Sequence, residues 1–598
     1  MVSNPRQVLR YKPLQPHLKE IRLFRLKPRN YRPSSCPWFL VNVAIFGELE
    51  HVSRDDSVMY TALSYAWGDG VRNRIGVGQE ELYISTNLED ALLQLQDDNE
   101  DVLLWADQIC INQQDKEERS EQVQQMREIY AEAERTVAWL GLAADESDLA
   151  INLLSKMSRG IGEEEELDLS RITDPVRLAI ISTAFDRLCK RSYWHRLWVI
   201  QEFAVARQVD VMCGASSIPS HKLHYVLDAF NRVPGYIFDS DEYNLKRTDT
   251  NSEEVKTANA VFKDLRSATK SSLENIVYHR HAYQWVQQKG MSLFHILTST
   301  LVSGPKYDPP QCSEPRDSIF ALLGLTDDAT EFSEFPNYTI SCKDVYTKTT
   351  IRLLEQGHIG FLSYCQFPMD KQIGVPSWVP DWRLKICRPS IRSLLTRDGP
   401  FSASGKSVLR QMVSHRDSHL LTLRGIRVDT VEEFGSVWVP EQMKGSRPQQ
   451  ESALQYLAEI RAFVAQSPRI SPGGEDFHAS RIAVADFHGS ANIPQLWERA
   501  HTGCLQLLGE SKLEVFYERS LNAVHSVRPF ISTSGFVGLA PLRVQVGDVV
   551  CILLGGDVPY LLRKCGESYI LVGEAYVHGI MYGEHTAGSP NVEDFTLK

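Results

Sequence analysis

Several features that define common protein classes are missing from this sequence of 598 residues. It has no run of about 18 apolar residues, so no membrane-spanning helix is expected. Its first residues lack the apolar centre of a secretory signal, and its 11 cysteines include no CxxC pair. We therefore expect no metal site, and the sparse, odd number of thiols indicates a reducing, cytoplasmic setting.

An excess of positive charge is missing as well, because 64 basic residues stand against 76 acidic ones and the net charge is -12. This charge argues against non-specific binding of nucleic acid, so no nucleic-acid partner is expected. The usual phosphate-binding loops are also missing. Gly76-Val77-Gly78 lacks a third glycine, and Gly405-Lys406-Ser407 follows Gly399 with one residue too many for a P-loop.

What is present divides the chain into three predicted regions, 1–215, 216–390 and 391–598. The middle region is predicted to be mainly α-helical. The last region is mixed, and its end, at about 525–590, is predicted to form a small β-barrel or sandwich because short apolar runs recur there between turns.

The first region, with its core at 55–215, alternates strand-like and helix-like patterns. Apolar strands that alternate with helices are typical of a parallel sheet with helices on both faces, so an α/β domain is predicted. A continuous helical stretch is predicted over 178–206. The four predicted strands are 58–66, 102–106, 136–140 and 209–213.

Three clusters in this region carry the residues from which a site could be built: ALSYAWGD at 62–69, LWADQICINQ at 104–113 and WHRLWVIQE at 194–202. Ligands of an open parallel sheet bind beyond the carboxyl ends of its strands, so Asp69 and Asp107 are predicted to face a ligand. The third cluster places an aromatic ring and a carboxylate, Trp198 and Glu202, four residues apart on one helix face.

In this order the clusters resemble the ALSYxWG, lWiDaiCINQ and RxWxxQE blocks of the heterokaryon incompatibility (HET) domain of fungal proteins. The similarity covers about residues 55–215. Blocks farther along the chain resemble the HET-6-like subgroup: RDSIFALLGL at 316–325, PSWVPDW at 376–382 and GLAPLRVQVGDVVCILLGG at 538–556. The resemblance implies a self/non-self recognition protein that triggers programmed cell death and has another incompatibility protein as its partner.

HET domains in turn resemble TIR domains, which have a flavodoxin-like sheet and often act when assembled side by side. Some TIR domains cleave NAD with a glutamate four residues after a tryptophan. The resemblance implies self-association through the HET domain, NAD as a candidate substrate without any certain cofactor, and Glu202 as the catalytic residue. Arg196 departs from the pattern, since TIR domains commonly have serine at that place. The ligand-binding residues implied are Trp67, Gly68, Asp69, Asp107, Asn112, Trp198 and Arg196.

Most of these residues also have a purely structural interpretation. The tryptophans are also explained as core aromatics, Asp69 as a turn residue and Asn112 as a cap. The Asp107 carboxylate is also explained as an acceptor for backbone N–H groups of the following loop, and Glu202 as one half of an ion pair. On that interpretation the HET domain is a non-enzymatic interaction module, which remains the alternative to an NAD-cleaving enzyme.

Overall fold

A computed structural model of the chain groups it into two compact units by its internal contacts. The first unit consists of Met1–Thr300 and Pro309–Ile340, and the second of Leu301–Asp308 and Ser341–Lys598. The division into three regions at 215 and 390 stays a prediction. The structure describes residues 8–33, 42–68, 70, 72–157, 175–232, 272–285, 290–303, 308–367, 374–387, 391, 401–405, 412–415, 419–439, 447–488, 498–499, 515–588 and 591–598.

The first unit is built on a nine-stranded mixed sheet with the strand order β5-β4-β2-β1-β6-β3-β7-β8-β9. Its strands are β1 (Glu20–Leu26), β2 (Phe46–Ser53), β3 (Thr61–Tyr65), β4 (Arg72–Val77), β5 (Glu80–Ser85), β6 (Val102–Trp105), β7 (Arg135–Trp139), β8 (Val209–Cys213) and β9 (Ser216–Pro219).

The four strands predicted from the sequence are β3, β6, β7 and β8, and they form the parallel centre of this sheet. β3 pairs in parallel with both β6 and β7, and β7 pairs in parallel with β8. Across the sheet their order is β6, β3, β7 and β8, so the second strand of the four in the chain lies first. A flavodoxin-like sheet begins in the same way. The predicted α/β fold is therefore confirmed, and the crevice that such a sheet offers to ligands lies between β3 and β7.

Five further strands extend the parallel centre, and sequence patterns did not identify them. β1 lies antiparallel to β6 and to β2, and it is covered on both faces. Its buried Arg22 is accommodated because the guanidinium binds both carboxylate oxygens of Glu118, at 2.7 and 2.9 Å. The same guanidinium donates to the carbonyl of Cys110 at 3.0 Å, so β1 also holds the short helix that follows β6.

Helices cover this sheet and begin at residues suited to capping them. The side chain of Ser85 accepts the backbone N–H of Leu88, and the side chain of Asp115 accepts two backbone N–H groups. The helices of the first unit are α1 (Thr86–Leu95), α2 (Asp107–Cys110), α3 (Lys116–Glu132), α4 (Ser147–Met157), α5 (Pro175–Cys189), α6 (Trp198–Val205), α7 (Ser220–Arg232), α8 (Ser272–Trp285), α9 (Leu293–Thr300) and α10 (Asp317–Leu323).

The continuous helix predicted over 178–206 was wrong, because the chain breaks between α5 and α6. A short 3-10 turn, Ser192–His195, lies there and buries the rings of Tyr193 and Trp194. These two aromatic side chains pack edge to face, with ring centroids 4.9 Å apart. Helix α6, which carries Glu202, begins after this break.

The second unit contains the helices α11 (Cys342–Glu355), α12 (Arg447–Gln466), α13 (Glu475–Ala483) and α14 (Val515–Ala523). With α7 to α11 in it, the middle of the chain is helical as predicted. PSWVPDW forms no helix, and its Ser377 hydroxyl bonds the carbonyl of Lys598. None of the described helices is long and apolar enough to cross a membrane.

The predicted C-terminal β module is confirmed. Pairings run from β18 through β19, β20, β22 and β13 back to β18, so these five strands form a ring. The strands of this unit are β10 (Val302–Ser303), β11 (Ile386–Cys387), β12 (Met412–His415), β13 (Leu420–Phe434), β14 (Phe487–His488), β15 (Glu498–Arg499), β16 (Val527–Ser532), β17 (Val537–Pro541), β18 (Val549–Leu553), β19 (Tyr560–Cys565), β20 (Ser568–Glu574), β21 (Tyr576–Val577) and β22 (Val592–Leu597).

Candidate functional site

The first two sequence clusters meet at Asp107, which opens α2 directly after β6. Its carboxylate accepts hydrogen bonds from the hydroxyl of Tyr65 at 2.7 Å and from the indole N–H of Trp67 at 2.8 Å. It also accepts the backbone N–H of Gln108 at 2.8 Å. Asp107 therefore ties the end of β3 to the end of β6, and it does so on the ligand side of a parallel sheet.

The end of β7 joins the same edge through Asn87, at the start of α1. The amide of Asn87 donates to the carbonyl of Ala66 at 2.6 Å and accepts the indole N–H of Trp139 at 3.0 Å. Gly68 follows on the exposed side of this loop, with a φ of +76° that a residue with a Cβ rarely adopts. Asp69 lies outside the described residues.

The third cluster reaches β3 through Glu202 on α6. The hydroxyl of Ser64 donates to the Glu202 carboxylate, and Ser64 also contacts the hydroxyl of Tyr193 at 2.9 Å. The hydroxyl of Tyr130 on α3 donates to the carbonyl of Leu63 at 3.2 Å, and its proximity lowers the pKa of Glu202. Glu202 is only 2% exposed, so its carboxyl group lies inside the protein, beside polar side chains from β3 and α3.

Arg196 stands between the two acidic residues. Its guanidinium donates to the carbonyl of Tyr65, which precedes the loop that Asp107 holds. Burial lowers the pKa of Arg196, but the charges of Glu202 and Asp107 outweigh that effect and raise the pKa above its usual value. The arginine thus links Glu202 and Asp107 electrostatically, and all three sequence clusters belong to one network.

The environment of Glu202 changes its acidity. Burial raises the pKa of Glu202 to about 7, against the lowering effects of Arg196 and of the Ser64 hydrogen bond, and Asp107 adds to the rise. A carboxyl group with a pKa near 7 exchanges its proton at physiological pH. This group therefore has the acidity of a general acid or base.

Two of the predicted ligand-binding residues have other partners. The indole N–H of Trp198 donates to the carboxylate of Asp317 at 2.9 Å. Asn112 lies in the turn before α3, where its side chain accepts the backbone N–H of Gln114 at 3.3 Å and its own N–H donates to Glu118 at 2.7 Å. The contacts of Asn112 are those of a turn residue.

The network also contains residues that the sequence analysis did not single out. Ser64 and Tyr65 lie inside the ALSYAWGD cluster. Tyr193 directly precedes Trp194, the first residue of the third cluster. The signal of Ser64 and Tyr65 was a hydroxyl group within an otherwise apolar buried run, since a buried hydroxyl needs a polar partner. Asp317 had a similar signal, an acid before the apolar run of RDSIFALLGL.

Other candidate chemistries find little support in the geometry. Burial raises the pKa of the Cys110 thiol to about 12, so it is a poor nucleophile. His279 is buried, and one ring nitrogen lies 2.8 Å from the Thr300 hydroxyl. Within the described ranges, no group of three or more His, Cys, Asp or Glu side chains is arranged to hold a metal ion.

Replacing Asp107 with alanine is expected to destabilise the first unit by about 1–3 kcal/mol, because Tyr65, 1% exposed, would lose the acceptor of its hydroxyl. Hydrogen exchange of strand β3 in the full chain measures this loss. Asp107→Asn keeps an acceptor oxygen and should cost clearly less. Equal exchange rates in Asp107→Ala and the unchanged chain would contradict the assignment of Asp107 as the tie between the strand ends.

Comparisons with known proteins match two parts of the chain to family models. A family model described as "Heterokaryon incompatibility protein (HET)" matches residues 60–202, which span the network from β3 to Glu202. A second model, described as "Het-6 beta-barrel domain", matches residues 498–597. The chain is similar to "Heterokaryon incompatibility protein 6, OR allele" of Neurospora crassa, with 27% identity over 90% of this chain and 91% of that protein. No solved structure gives a significant match.

Proposed function

Because the chain is a Het-6-like HET-domain protein with a Het-6 β-barrel domain, we propose that it acts in fungal self/non-self recognition and triggers cell death. Its HET domain is the effector in this proposal. The rest of the chain detects an incompatibility partner protein or keeps the effector silent until that partner is present. We place this action in the cytoplasm and assign it no nucleic-acid partner.

The observation that supports an effector role is the convergence of all three HET clusters on Glu202. Ser64 of the first cluster donates to the Glu202 carboxylate, and Asp107 of the second cluster influences its acidity. A buried ionisable group reduces stability unless it is paired and hydrogen-bonded, since charge is costly to bury. A carboxyl group kept near its titration point inside a polar network is therefore a candidate functional group.

Induced expression of the full chain in a fungal host tests the effector role. The unchanged chain is expected to reduce the number of viable cells. The Asp107→Ala variant is expected to reduce this number much less, because the ends of β3 and β6 are no longer tied together. Immunoblots at equal expression control for protein level. Cells that grow normally at high levels of the unchanged chain and of its partner allele would overturn the proposal.

A second candidate function is the cleavage of NAD at Glu202, with regulated self-association of HET domains as its trigger. In this reaction the bond between the ribose C1′ and the nicotinamide nitrogen breaks, and nicotinamide leaves with the bonding electrons. Water adds to the ribose carbon and loses a proton, which yields ADP-ribose. The Glu202 carboxylate stabilises the positive charge that develops on the ribose. Since Glu202 is 2% exposed, its neighbours have to move before a nucleotide reaches it.

Incubation of the purified full chain with NAD, in dilute solution and when clustered on a surface, tests this candidate. Nicotinamide release is expected from the clustered protein, and Glu202→Ala should lower the rate about 100-fold or more. Absence of nicotinamide in both conditions would rule out the enzymatic function and leave the effector as an interaction module.

A further inference from the structure

A segment outside the matched HET region crosses the start of helix α6. The backbone N–H of Leu197 donates to the carbonyl of Gln311 at 2.9 Å, and the N–H of Gln311 donates to the carbonyl of His195 at 2.6 Å. These two bonds fix the chain on either side of Arg196. The segment continues into α10 and up to Tyr338, all within the first unit.

Asp317, the first residue of α10, connects this segment to α6. Its carboxylate accepts the indole N–H of Trp198 at 2.9 Å and the hydroxyl of Tyr338 at 2.6 Å. Asp317 is 8% exposed, so both acceptor oxygens are used inside the protein. Hydrogen bonds to a buried carboxylate are stronger than those between neutral groups, and they hold the indole ring in one orientation.

The far end of α10 also rests on α6. A Cβ atom at Gly324 would lie 2.3 Å from the side-chain oxygen of Gln201 and 2.6 Å from its Cδ. Gln201 is 2% exposed, so it has little room to give way. The glycine therefore allows the two helices to approach closely beside the residue that precedes Glu202.

The Tyr338 end of the segment is anchored separately. The guanidinium of Arg119 on α3 lies 4.0 Å from the centroid of the Tyr338 ring. Arg316 donates to the carbonyl of Tyr338 at 2.7 Å and to that of Ile340 at 2.8 Å. Asp317 thus connects α6 to a segment whose Tyr338 end is also held from α3.

We propose that Asp317 is a positioning residue that fixes helix α6, through Trp198, so that the Glu202 carboxyl group reaches Ser64. Trp198 and Glu202 are about one helical turn apart on α6. A rotation of the helix at Trp198 therefore also moves the side chain of Glu202. A displacement of about 1 Å is enough to break a hydrogen bond. The inference deepens the proposed role of Glu202 and rests on it.

The pH at which Glu202 titrates reports its position without any measurement of killing or of NAD cleavage. Besides Ser64, the groups that face its carboxyl are Tyr130 from α3, Tyr193 and Arg196 from the preceding turn, and Asp107 from α2. Asp317 is surrounded by Trp198, Tyr338, Glu314 and Arg119. Each of the two variants described next changes a single one of these side chains, Trp198 or Tyr338, and leaves the others in place.

Two variants of the full chain remove one hydrogen bond each from the same carboxylate. Trp198→Phe removes the bond from α6, and Tyr338→Phe removes the bond from the anchored end. The Glu202 titration is read by infrared spectroscopy as the protonated carboxyl band that disappears when Glu202→Gln is added to each background. Trp198→Phe is expected to lower the titration midpoint of Glu202 by about one pH unit or more, because water reaches the displaced carboxyl.

Tyr338→Phe is expected to leave the midpoint of Glu202 within about 0.3 pH units of the unchanged chain, because Arg316 still binds the backbone carbonyl of residue 338 and Asp317 still accepts from Trp198. Equal shifts in the two variants, or no shift in Trp198→Phe, would overturn the positioning role of Asp317. A third variant, Asp317→Asn, retains an acceptor for Trp198 and is expected to keep the midpoint of the unchanged chain. A large shift there would also contradict the proposal. A normal titration in a chain that fails to kill would instead count against the effector function alone.

Discussion

Fungal cells that express the Glu202→Gln variant are expected to survive, whereas cells that express the unchanged chain lose viability. The amide has nearly the shape of the carboxyl group and still accepts the hydrogen bond from Ser64. It cannot exchange a proton or carry a charge, so any chemical role is lost at little cost to the fold. Loss of a general acid or base commonly lowers a reaction rate about 10²–10⁴-fold. Viable counts after induction measure the effect.

The matched control is Glu121→Gln, the same change at an exposed position on α3. It should kill as efficiently as the unchanged chain. If Glu202→Gln also kills with full efficiency while Asp107→Ala does not, the HET domain acts by binding another protein and the carboxyl group has no chemical role. That result would leave self/non-self recognition in place and remove the enzymatic candidate.

The second large effect is expected at Arg22. Its guanidinium is 0% exposed and binds both carboxylate oxygens of Glu118, which is itself 8% exposed. Arg22→Met leaves the Glu118 charge buried without its partner, and such losses typically cost about 3–5 kcal/mol. The guanidinium also holds the Cys110 carbonyl at the end of α2. Hydrogen exchange of β6 and α2 in the full chain measures the loss.

A double change separates the ion pair from simple packing. Arg22→Met combined with Glu118→Met removes both charges, so its cost should fall well below the sum of the two single costs. Arg25→Met on the same strand is the matched control, since Arg25 pairs with Glu50 at a partly exposed place. Such pairs contribute about 0–1 kcal/mol. Similar losses for Arg22→Met and Arg25→Met would show that burial of the ion pair is unimportant.

The parallel centre of the sheet was predictable because each of its strands is a short, continuous apolar run. β3, β6 and β7 are covered on both faces and therefore contain few polar positions that disturb the pattern. The position of Asp107 at the edge of the sheet was predictable for a related reason, because residues that follow parallel strands lie at one edge of the sheet. Its place among Tyr65 and Trp67 agrees with that expectation.

The additional antiparallel strands were not predictable from periodicity. β1 reads EIRLFRL, and its third residue, Arg22, suggests a solvent-exposed face until Glu118, 96 residues later, supplies the opposite charge. The break before α6 was missed because Tyr193 and Trp194 fit a helical pattern as well as a buried 3-10 turn. In both cases a partner distant in the sequence decides the local structure.

The partner of Trp198 was missed for the same reason. Four-residue spacing suggested that its ring shares a site with Glu202, but the spacing of two residues cannot reveal which buried acceptor the indole N–H finds. That acceptor is Asp317, 119 residues farther along the chain. In the sequence, Asp317 stands directly before the apolar run of RDSIFALLGL, without any sign of what it contacts.

The most direct test of this account is the pH titration of the Glu202 carboxyl group in the full-length chain. Infrared spectra of the unchanged chain, from which those of Glu202→Gln are subtracted, isolate its protonated carboxyl band. Because burial raises the pKa of Glu202 to about 7, against the lowering effects of Arg196, Ser64 and Tyr130, the band should lose half its intensity near that pH. A band that disappears near pH 4.5, the ordinary value for glutamic acid, would show an exposed side chain and contradict the convergence of the three clusters on Glu202.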